Sequence, residues 1–244
     1  MSEDDGAFES ALGLMRSARR IAVLSGAGLS KASGIPTYRD AGGLWMQGGT
    51  ARFSNAQGLQ DDPAGFTRFW AERLAAVEAA EPNPGHLALA RLQRLRPATR
   101  LVTQNVDGLL TLAGGLDVLE LHGSLRRWRC DHCGNRRGPW PLHRCLRCGN
   151  RARPDVVMFG EMLDPGVLLD AQQAAQEADL FLLVGSTAQV YPAAALPELT
   201  LDAGGRLITL DVEARPLDES ASAVLHGRAE ELLPRLVDGL LTGS

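Results

Sequence analysis

The sequence lacks the features that mark nucleic-acid-binding, membrane-spanning and secreted proteins. Basic residues are not in excess, since the 244 residues carry a formal net charge of -4, and arginines cluster only locally between residues 126 and 153. DNA or RNA is therefore not the expected partner. No apolar run approaches the roughly 18 residues of a membrane span, and residues 1–5 are acidic where a secretory signal would be basic. We expect a cytoplasmic monomer that does not bind membranes.

Cysteine is scarce, and all of it lies in one short segment. Two Cys-x-x-Cys pairs are separated by eleven residues, and a glycine follows each pair directly, which gives the set Cys130, Cys133, Cys145 and Cys148. In a reducing compartment such pairs are more often metal ligands than disulfides. Four thiolates fill the tetrahedral shell of Zn²⁺ and leave no position for water, so we predict a structural zinc site. The alternative is a redox disulfide, for which a single Cys-x-x-Cys pair would suffice.

Short, continuous apolar runs recur along the chain and predict a parallel β-sheet. Apolar runs without alternation are typical of strands covered on both faces, which requires helices on each side of the sheet. The runs lie at residues 21–24, 101–102, 118–121, 180–184 and 207–208. Helices are indicated by the apolar face of Phe8, Leu12 and Met15 and by the cap signal Asn83-Pro84.

Two stretches interrupt this α/β pattern, and we assign both to a smaller lobe. Residues 40–81 look helical behind a glycine-rich entrance, and residues 123–154 contain the cysteines. With 45% hydrophobic residues the chain can bury a full core. We predict an α/β fold, with a Rossmann-like parallel-sheet domain from residues 1–39, 82–122 and 155–244. The insertions in it are a loop with a helical segment (40–81) and a zinc module (123–154).

Glycines or polar residues follow each predicted strand. In open α/β sheets, ligands bind at the carboxyl ends of the strands. The turn Gly26-Ala27-Gly28 follows the first strand, and glycines let backbone N–H groups approach a pyrophosphate closely. The groups after the later strands are Gln104, Asn105, Asp107, His122, Gly185, Ser186 and Asp211. Together they predict a ligand site along one edge of the sheet.

Each of these groups also has a purely structural interpretation. The glycine turn is a weak signal by itself, because strand-to-helix turns of this kind are common. Asn105 could cap the next helix, with Asp107 in its first turn. His122 could be a general base at this edge, but a lone histidine is more often structural. The segment 34–45, which contains Tyr38 and Arg39, is predicted to be a mobile loop that could close over a cofactor.

Taken together, the motifs resemble the sirtuins, the Sir2-type NAD-dependent deacylases. The resemblance spans nearly the whole chain in family order, in GAGLSKASGIPTYR (26–39), TQNVDGLL (103–110), ELHGSL (120–125), the four cysteines, RPDVVMFGE (153–161) and GSTAQVYPAA (185–194). It implies NAD and structural Zn²⁺ as cofactors. It also implies an NAD site lined by Gly26, Ala27, Gly28, Tyr38, Arg39, Gln104, Asn105, Asp107, Gly185 and Ser186. Asp211 stands where the family usually has asparagine, and we expect it to keep a ribose contact.

The resemblance also implies a reaction and a substrate. The acyl oxygen of a modified lysine attacks the nicotinamide ribose, nicotinamide leaves, and His122 acts as the general base on a ribose hydroxyl, with Asn105 as a second catalytic residue. The products are free lysine, nicotinamide and O-acyl-ADP-ribose. Acylated-lysine proteins or peptides would bind as an added strand beside Val156, Val157 and Phe159. A plain core role is the alternative for the two valines.

Within the family, residues 36–43 and 190–194 look like the branch that removes acidic acyl groups such as succinyl. That branch carries a Tyr-x-x-Arg pair, and alignment places Trp70 and Arg73 at its two positions, on one helix face. Tryptophan lacks the tyrosine hydroxyl, so a bulkier apolar acyl group is the alternative. For Arg73 the alternative is a surface position paired with neighbouring glutamates.

Two other functions fit the same motifs. An ADP-ribosyltransferase or NAD hydrolase would use the same site but would not need His122 to deprotonate a ribose hydroxyl. A non-catalytic NAD-sensing or zinc-dependent interaction protein would bind NAD without releasing nicotinamide, and it would be free to lose His122 or Asn105. Both residues are present, which favours the deacylase.

Overall fold

A six-stranded parallel sheet forms the centre of the larger lobe. The structure is a computed structural model that describes residues 3–37, 50–139 and 144–242. Strands and helices within these residues are numbered separately in chain order. The sheet contains β1 (Ile21–Ser25), β2 (Arg100–Thr103), β3 (Leu119–Glu120), β7 (Leu180–Val184), β8 (Arg206–Asp211) and β9 (Ala223–His226). Each pairing in it is parallel, so the sheet expected from the apolar runs is confirmed.

The strand order brings the carboxyl ends of the strands to one edge. The order is β3-β2-β1-β7-β8-β9, so the direction of winding reverses between β1 and β7. Ser25 lies opposite both Thr103 and Val184, and Val184 lies opposite Leu210. Residues that follow these strands therefore share one edge, and the reversal is the place where such sheets bind ligands.

Helices cover both faces of this sheet. One face carries α1 (Glu3–Ser17), α6 (Pro84–Leu95) and α10 (Ala229–Gly239), and the other carries α8 (Pro165–Glu177) and α9 (Leu196–Asp202). Ile21 and Val23 pack into the first core, whereas Ala22 and Leu24 pack into the second. Short helices α2 (Ala27–Ser30) and α7 (Leu109–Leu112) follow β1 and β2. In the part of the chain that the structure describes, no helix is long and apolar enough to span a bilayer.

Helix α6 begins at the predicted cap. Asn83 Oδ1 accepts from the N–H groups of Gly85 at 2.9 Å and His86 at 3.4 Å. In return, the Asn83 N–H donates to His86 Nδ1 at 3.3 Å, and Pro84 occupies the first turn. This reciprocal cap confirms the prediction and fixes the orientation of the His86 ring.

The helical segment and the cysteine segment together form the smaller lobe. Its helices are α3 (Thr50–Phe53), α4 (Ala56–Asp61) and α5 (Pro63–Ala79), and its antiparallel sheet has the order β5-β4-β6, from β4 (Gly123–Arg129), β5 (Arg136–Pro139) and β6 (Arg153–Val156). One apolar core joins the two parts, since Phe66 and Trp70 of α5 share it with Leu125 and Trp128 of β4. Because β6 ends at Val156, this sheet extends two residues beyond the predicted end of the zinc module at 154.

Candidate active site

Two backbone segments meet at the carboxyl ends of β1 and β7. The N–H of Gly26 donates to Val184 O at 2.9 Å, and the N–H of Gly28 donates to Gly185 O at 2.9 Å. A Cβ atom on Gly28 would lie 2.7 Å from Gly185 Cα, and Gly185 has a φ of 56°. Glycine is therefore required here, because the segments are in direct backbone contact. Helix α2 has only 4 residues, so its helix dipole adds little positive charge at this edge.

Replacing Gly28 by alanine should lower the free energy of unfolding by about 1 to 3 kcal/mol, because the new methyl group meets backbone that cannot rotate away. Gly13→Ala in α1 is the matched control, since an added Cβ there has no heavy atom within 4 Å. That change should leave stability unchanged or raise it by up to about 1 kcal/mol. Urea unfolding measures both variants. Equal stability of Gly28→Ala and wild type would contradict the close-contact interpretation.

A chain of buried polar side chains lies beneath the glycine turn. Because the Asn83 N–H donates to His86 Nδ1, the ring proton of His86 is on Nε2. His86 Nε2 therefore donates to Ser30 Oγ at 3.3 Å, and Ser30 Oγ donates to Asp107 Oδ2 at 2.7 Å. Burial lowers the pKa of His86 to about 4, so the ring is neutral at physiological pH. The hydrogen bonds thus run in one direction and hold Ser30 in place.

The side chain of Asn105 is fixed by the same network. Its Nδ2 donates to Gly26 O and to Ser30 Oγ, both at 3.0 Å. Both amide hydrogens are thereby used, and Oδ1 faces away from these partners as an acceptor. The alternative that Asn105 caps the next helix is wrong. The acceptor at the start of α7 is Asp107, whose Oδ1 takes the N–H of Leu109 at 2.8 Å.

Asp107 links the two lobes. Burial raises the pKa of its carboxyl, while the hydrogen bonds from Leu109 and Ser30 and the charge of Arg126 lower it. Arg126 Nε donates to Asp107 O at 2.7 Å, and its Nη2 donates to Val77 O, in α5, at 2.7 Å. Both carboxylate oxygens of Asp107 bond to groups of the protein. Its structural contribution is therefore to position Ser30 and the start of α7.

The imidazole of His122 is held in one tautomer. Its Nδ1 lies 2.8 Å from Gln104 O, and because a carbonyl can only accept, the proton is on Nδ1 and the lone pair is on Nε2. Burial lowers the pKa of His122, and the hydrogen bond to Gln104 opposes this in part. The backbone oxygen of His122 accepts from the N–H of Val157 at 3.0 Å. The ring is therefore a neutral base at physiological pH.

Polar groups that follow β2 and β7 contact each other. Gln104 Nε2 donates to Ser186 Oγ at 2.7 Å, and Ser186 Oγ also accepts from the N–H of Ala188 at 3.2 Å. The residues that the structure brings together at this edge are Gly26, Ala27, Gly28, Gln104, Asn105, His122, Gly185 and Ser186. Tyr38 and Arg39 lie outside the described residues.

Asp211 ends β8 and pairs with an arginine that the sequence motifs did not reveal. Asp211 Oδ1 accepts from Arg215 Nη2 at 2.8 Å and from the N–H of Glu213 at 3.2 Å. The hydrogen bond to Asp211 raises the pKa of Arg215, against the effect of burial. The negative charge of Asp211 is thus balanced within the protein. No local signal predicted this pair, because the i, i+4 rule applies to helices and residues 212–215 are not helical.

The four cysteine sulfur atoms have the spacing of zinc ligands. They all lie within 4.8 Å of one another, with 3.6 Å between Cys130 and Cys148 and 3.6 Å between Cys133 and Cys145. A tetrahedron with Zn–S bonds of about 2.3 Å has edges of about 3.8 Å. A disulfide would need about 2.05 Å. The set therefore fits a structural Zn²⁺ ion with a complete thiolate shell and does not fit a redox disulfide.

The backbone around the cysteines forms two similar knuckles. Gly134 and Gly149 have φ values of 67° and 73°. Gly134 donates to Cys130 O and Gly149 to Cys145 O, each at 2.9 Å. The N–H of Arg147 points at Cys145 Sγ, 3.4 Å away. A glycine after each Cys-x-x-Cys pair thus permits the left-handed turn that brings the four sulfurs to one point.

Comparison with known proteins identifies the family. The Sir2 family model matches residues 26–192, which is more than half of the chain. The chain belongs to the Sir2 family. An NAD-dependent protein deacylase of Thermus thermophilus is 44% identical over 236 residues, which cover 92% of this chain and 91% of that relative. The family resemblance found in the sequence motifs is therefore confirmed.

Solved structures of Sir2 proteins have the same fold. A Sir2 homologue in complex with NAD superposes with a TM-score of 0.89 and 38% identity, covering 96% of this chain and 93% of that one. A Sir2 protein with a deacetylated p53 peptide and 3'-O-acetyl ADP-ribose has a TM-score of 0.84 and 30% identity, covering 95% of this chain and 97% of that one. The predicted Rossmann-like fold with a smaller lobe is the Sir2 fold.

In this Sir2 chain, the two residues predicted to contact the acyl group are buried in the smaller lobe. Trp70 is 1% exposed, and its Nε1 donates to Phe53 O at 2.9 Å. Arg73 is 4% exposed, and its Nη1 donates to Phe69 O at 2.9 Å while its guanidinium lies 3.2 Å from the centre of the Phe69 ring. The alternative of a surface position for Arg73 is therefore wrong.

The predicted substrate edge of the Sir2 chain, residues 156–159, runs from the core to the surface. Val156 is buried, Val157 is half-buried and Phe159 is 63% exposed. The Phe159 N–H donates to Ser54 O at 2.8 Å, so this edge pairs with the helical part of the smaller lobe. The core interpretation is correct for Val156, which is buried, but not for Val157, which is only half-buried.

Proposed function

We propose that this Sir2-family protein removes acyl groups from lysine side chains of proteins and consumes NAD in doing so. The observation that carries the proposal is His122, a neutral base whose lone pair is on Nε2, at the sheet edge beside Asn105 and the glycine turn. The names of its relatives and the NAD complex of a Sir2 homologue support the same activity. Mass spectrometry of an acyl-lysine peptide tests it, because the acyl mass should be lost only when NAD is present.

In the proposed reaction, each residue has a separate role. Bound NAD would supply the electrophile, because the ribose carbon that loses nicotinamide can form a bond to the acyl oxygen. Asn105 presents Oδ1 as a fixed acceptor, since both of its amide hydrogens are held by Gly26 and Ser30. His122 Nε2 takes the proton of a ribose hydroxyl, and the hydrogen bond from Nδ1 to Gln104 O stabilises the resulting imidazolium.

The proposed substrate is an extended peptide that contains the acylated lysine. It would lie along the substrate edge, where Phe159 is exposed and Val157 bonds through its N–H to His122 O. The Sir2 protein solved with a deacetylated peptide supports a peptide as the substrate. Zn²⁺ would be held by the four cysteines and would take no part in the reaction, because its coordination shell is full.

For the acyl group, we propose a preference for acidic groups such as succinyl, with Arg73 as their counter-ion. Arg73 is 4% exposed as a residue, so its guanidinium is poorly solvated and an acyl carboxylate beside it would gain a charge-assisted hydrogen bond. Trp70 Nε1 already donates to Phe53 O, so this tryptophan does not replace the hydroxyl of the family tyrosine. The preference therefore depends on Arg73 alone.

Arg73→Ala should lower the ratio of kcat/KM for succinyl-lysine to that for acetyl-lysine by about 10- to 100-fold, the value of a hydrogen bond to a charged group. The ratio is measured within one enzyme sample, so it does not depend on the folded fraction. Arg68→Ala, an exposed arginine of the same helix, is the control and should leave the ratio unchanged. An unchanged ratio in Arg73→Ala would contradict the assignment.

A further inference from the structure

One buried arginine connects the cysteine knuckles with the substrate edge. Arg153 is the first residue of β6 and is 3% exposed. Its Nε donates to Asp131 Oδ2 at 2.7 Å, its Nη1 donates to Val156 O at 2.9 Å, and its Nη2 donates to Glu161. A guanidinium can hold three acceptors in fixed directions at once, which a lysine ammonium at this position could not do with the same geometry.

The first acceptor belongs to the cysteine module. Asp131 directly follows Cys130, whose sulfur is one of the four predicted zinc ligands. Asp131 also accepts from Arg129 Nε at 3.0 Å, so its carboxylate is held by two arginines. The position of the first knuckle is therefore tied to Arg153 by a charged hydrogen bond.

The other two acceptors fix the backbone on both sides of Val157. Arg153 holds Val156 O, and Glu161 Oε2 accepts from the N–H of Met158 at 2.9 Å. Between them, the N–H of Val157 donates to the backbone oxygen of His122 at 3.0 Å. The segment that contacts the backbone of the general base is thus restrained by Arg153 at Val156 and by Glu161 at Met158. Glu161 is itself held by Arg153 and by Arg129, whose Nη2 donates to Oε2 at 3.1 Å.

We propose that Arg153 is a positioning residue that couples the position of the first cysteine knuckle to the positions of His122 and the substrate edge. This inference rests on the proposed function, because it assigns the residue a part in the same reaction. In this proposal Arg153 contacts neither NAD nor the acyl group. It acts through Asp131 on one side and through Val156 and Glu161 on the other, and it keeps Val157 paired with His122.

The test uses three variants and one control in the full-length, zinc-loaded protein. Arg153→Lys keeps the positive charge but cannot hold Asp131, Val156 O and Glu161 at the same time. Glu161→Gln removes the negative charge and weakens the hydrogen bond from the Met158 N–H. Asp131→Asn changes a side chain that is 52% exposed, so it should fold even if a buried variant does not. Arg151→Gln replaces an exposed arginine of the same segment and serves as the control.

Three readouts separate positioning from general stability: zinc per chain, amide hydrogen exchange at Val157, and steady-state kinetics for peptide and NAD. With zinc retained, exchange at Val157 should become at least about 10-fold faster in Asp131→Asn and Glu161→Gln. The value of kcat/KM for the peptide should fall about 100-fold in Arg153→Lys and Glu161→Gln, as expected for a misplaced reacting group. The KM for NAD should change little, and Arg151→Gln should match wild type in each readout.

Fully zinc-loaded variants with wild-type exchange at Val157 and wild-type peptide kinetics would overturn the inference while leaving the proposed function intact. Loss of activity that follows zinc loss in each variant would also overturn it, because the role would then be structural. A wild-type protein that removes no acyl group would refute the proposed function itself. The exchange measurement on the same variants would still decide whether Arg153 holds Val157 against His122.

Discussion

Replacing His122 by alanine should lower kcat for acyl removal by about 100- to 10,000-fold, the usual contribution of a general base. The fold and the affinity for NAD should change little, because the ring is held by its hydrogen bond to Gln104 O and belongs to neither core of the larger lobe. Acyl removal from one peptide, with NAD binding measured by calorimetry, checks both parts. His226→Ala, an exposed histidine at the end of β9, is the control and should retain full activity.

The pH dependence should identify the same residue. Burial lowers the pKa of His122 below the ordinary histidine value, and the base works only in its neutral form. On acidification, kcat/KM should therefore stay constant through the ordinary value near 6.5 and fall only below it. Full activity of His122→Ala, or a rate that already falls well above a pH of about 6.5, would refute the assignment.

Replacing Cys145 by serine should release zinc and unfold the smaller lobe. Cys145 is 3% exposed and packs in the same core as Trp128 and Phe66, so losing the metal disrupts apolar packing as well as coordination. Apparent binding free energies of structural zinc are on the order of 10 kcal/mol, more than a lobe of this size can lose and stay folded. The parallel sheet of the larger lobe should persist, because its cores contain no cysteine among the described residues.

Zinc content and limited proteolysis measure this outcome. Cleavage should appear within residues 123–156 in Cys145→Ser, while the larger lobe stays protected. Leu146→Ser is the matched control, because Leu146 occupies the same knuckle and is 82% exposed. It should keep zinc and activity. A metal-free Cys145→Ser protein that is stable and active would contradict a structural role for the metal.

The central sheet could be predicted because its strands are apolar on both faces. The apolar runs at 21–24 and 180–184 coincide with β1 and β7 to within one residue. Strand β9 was missed because it lies at the edge of the sheet, where only Ala223 and Leu225 are buried and Val224 and His226 are not. Its alternating pattern over four residues carries no signal of continuous burial.

The site was predicted only where its residues directly follow a strand. Gln104, Asn105 and His122 could be found that way, because the edge they share is a property of parallel sheets. Ser30 and His86 support Asn105 from two different helices, and their contact depends on how those helices pack. Arg153 was part of a recognised motif, but its three partners are separated from it by up to 22 residues along the chain, and no local pattern encodes that convergence.

The most direct experiment measures the amount of nicotinamide released and of acyl group removed from one acyl-lysine peptide in the same reaction. We expect equal amounts of the two products, both dependent on NAD, and loss of acyl removal in His122→Ala. Nicotinamide release without acyl removal from acetyl-, succinyl- or long-chain-acyl-lysine peptides would instead indicate an ADP-ribosyltransferase or NAD hydrolase and would contradict the proposed deacylase activity.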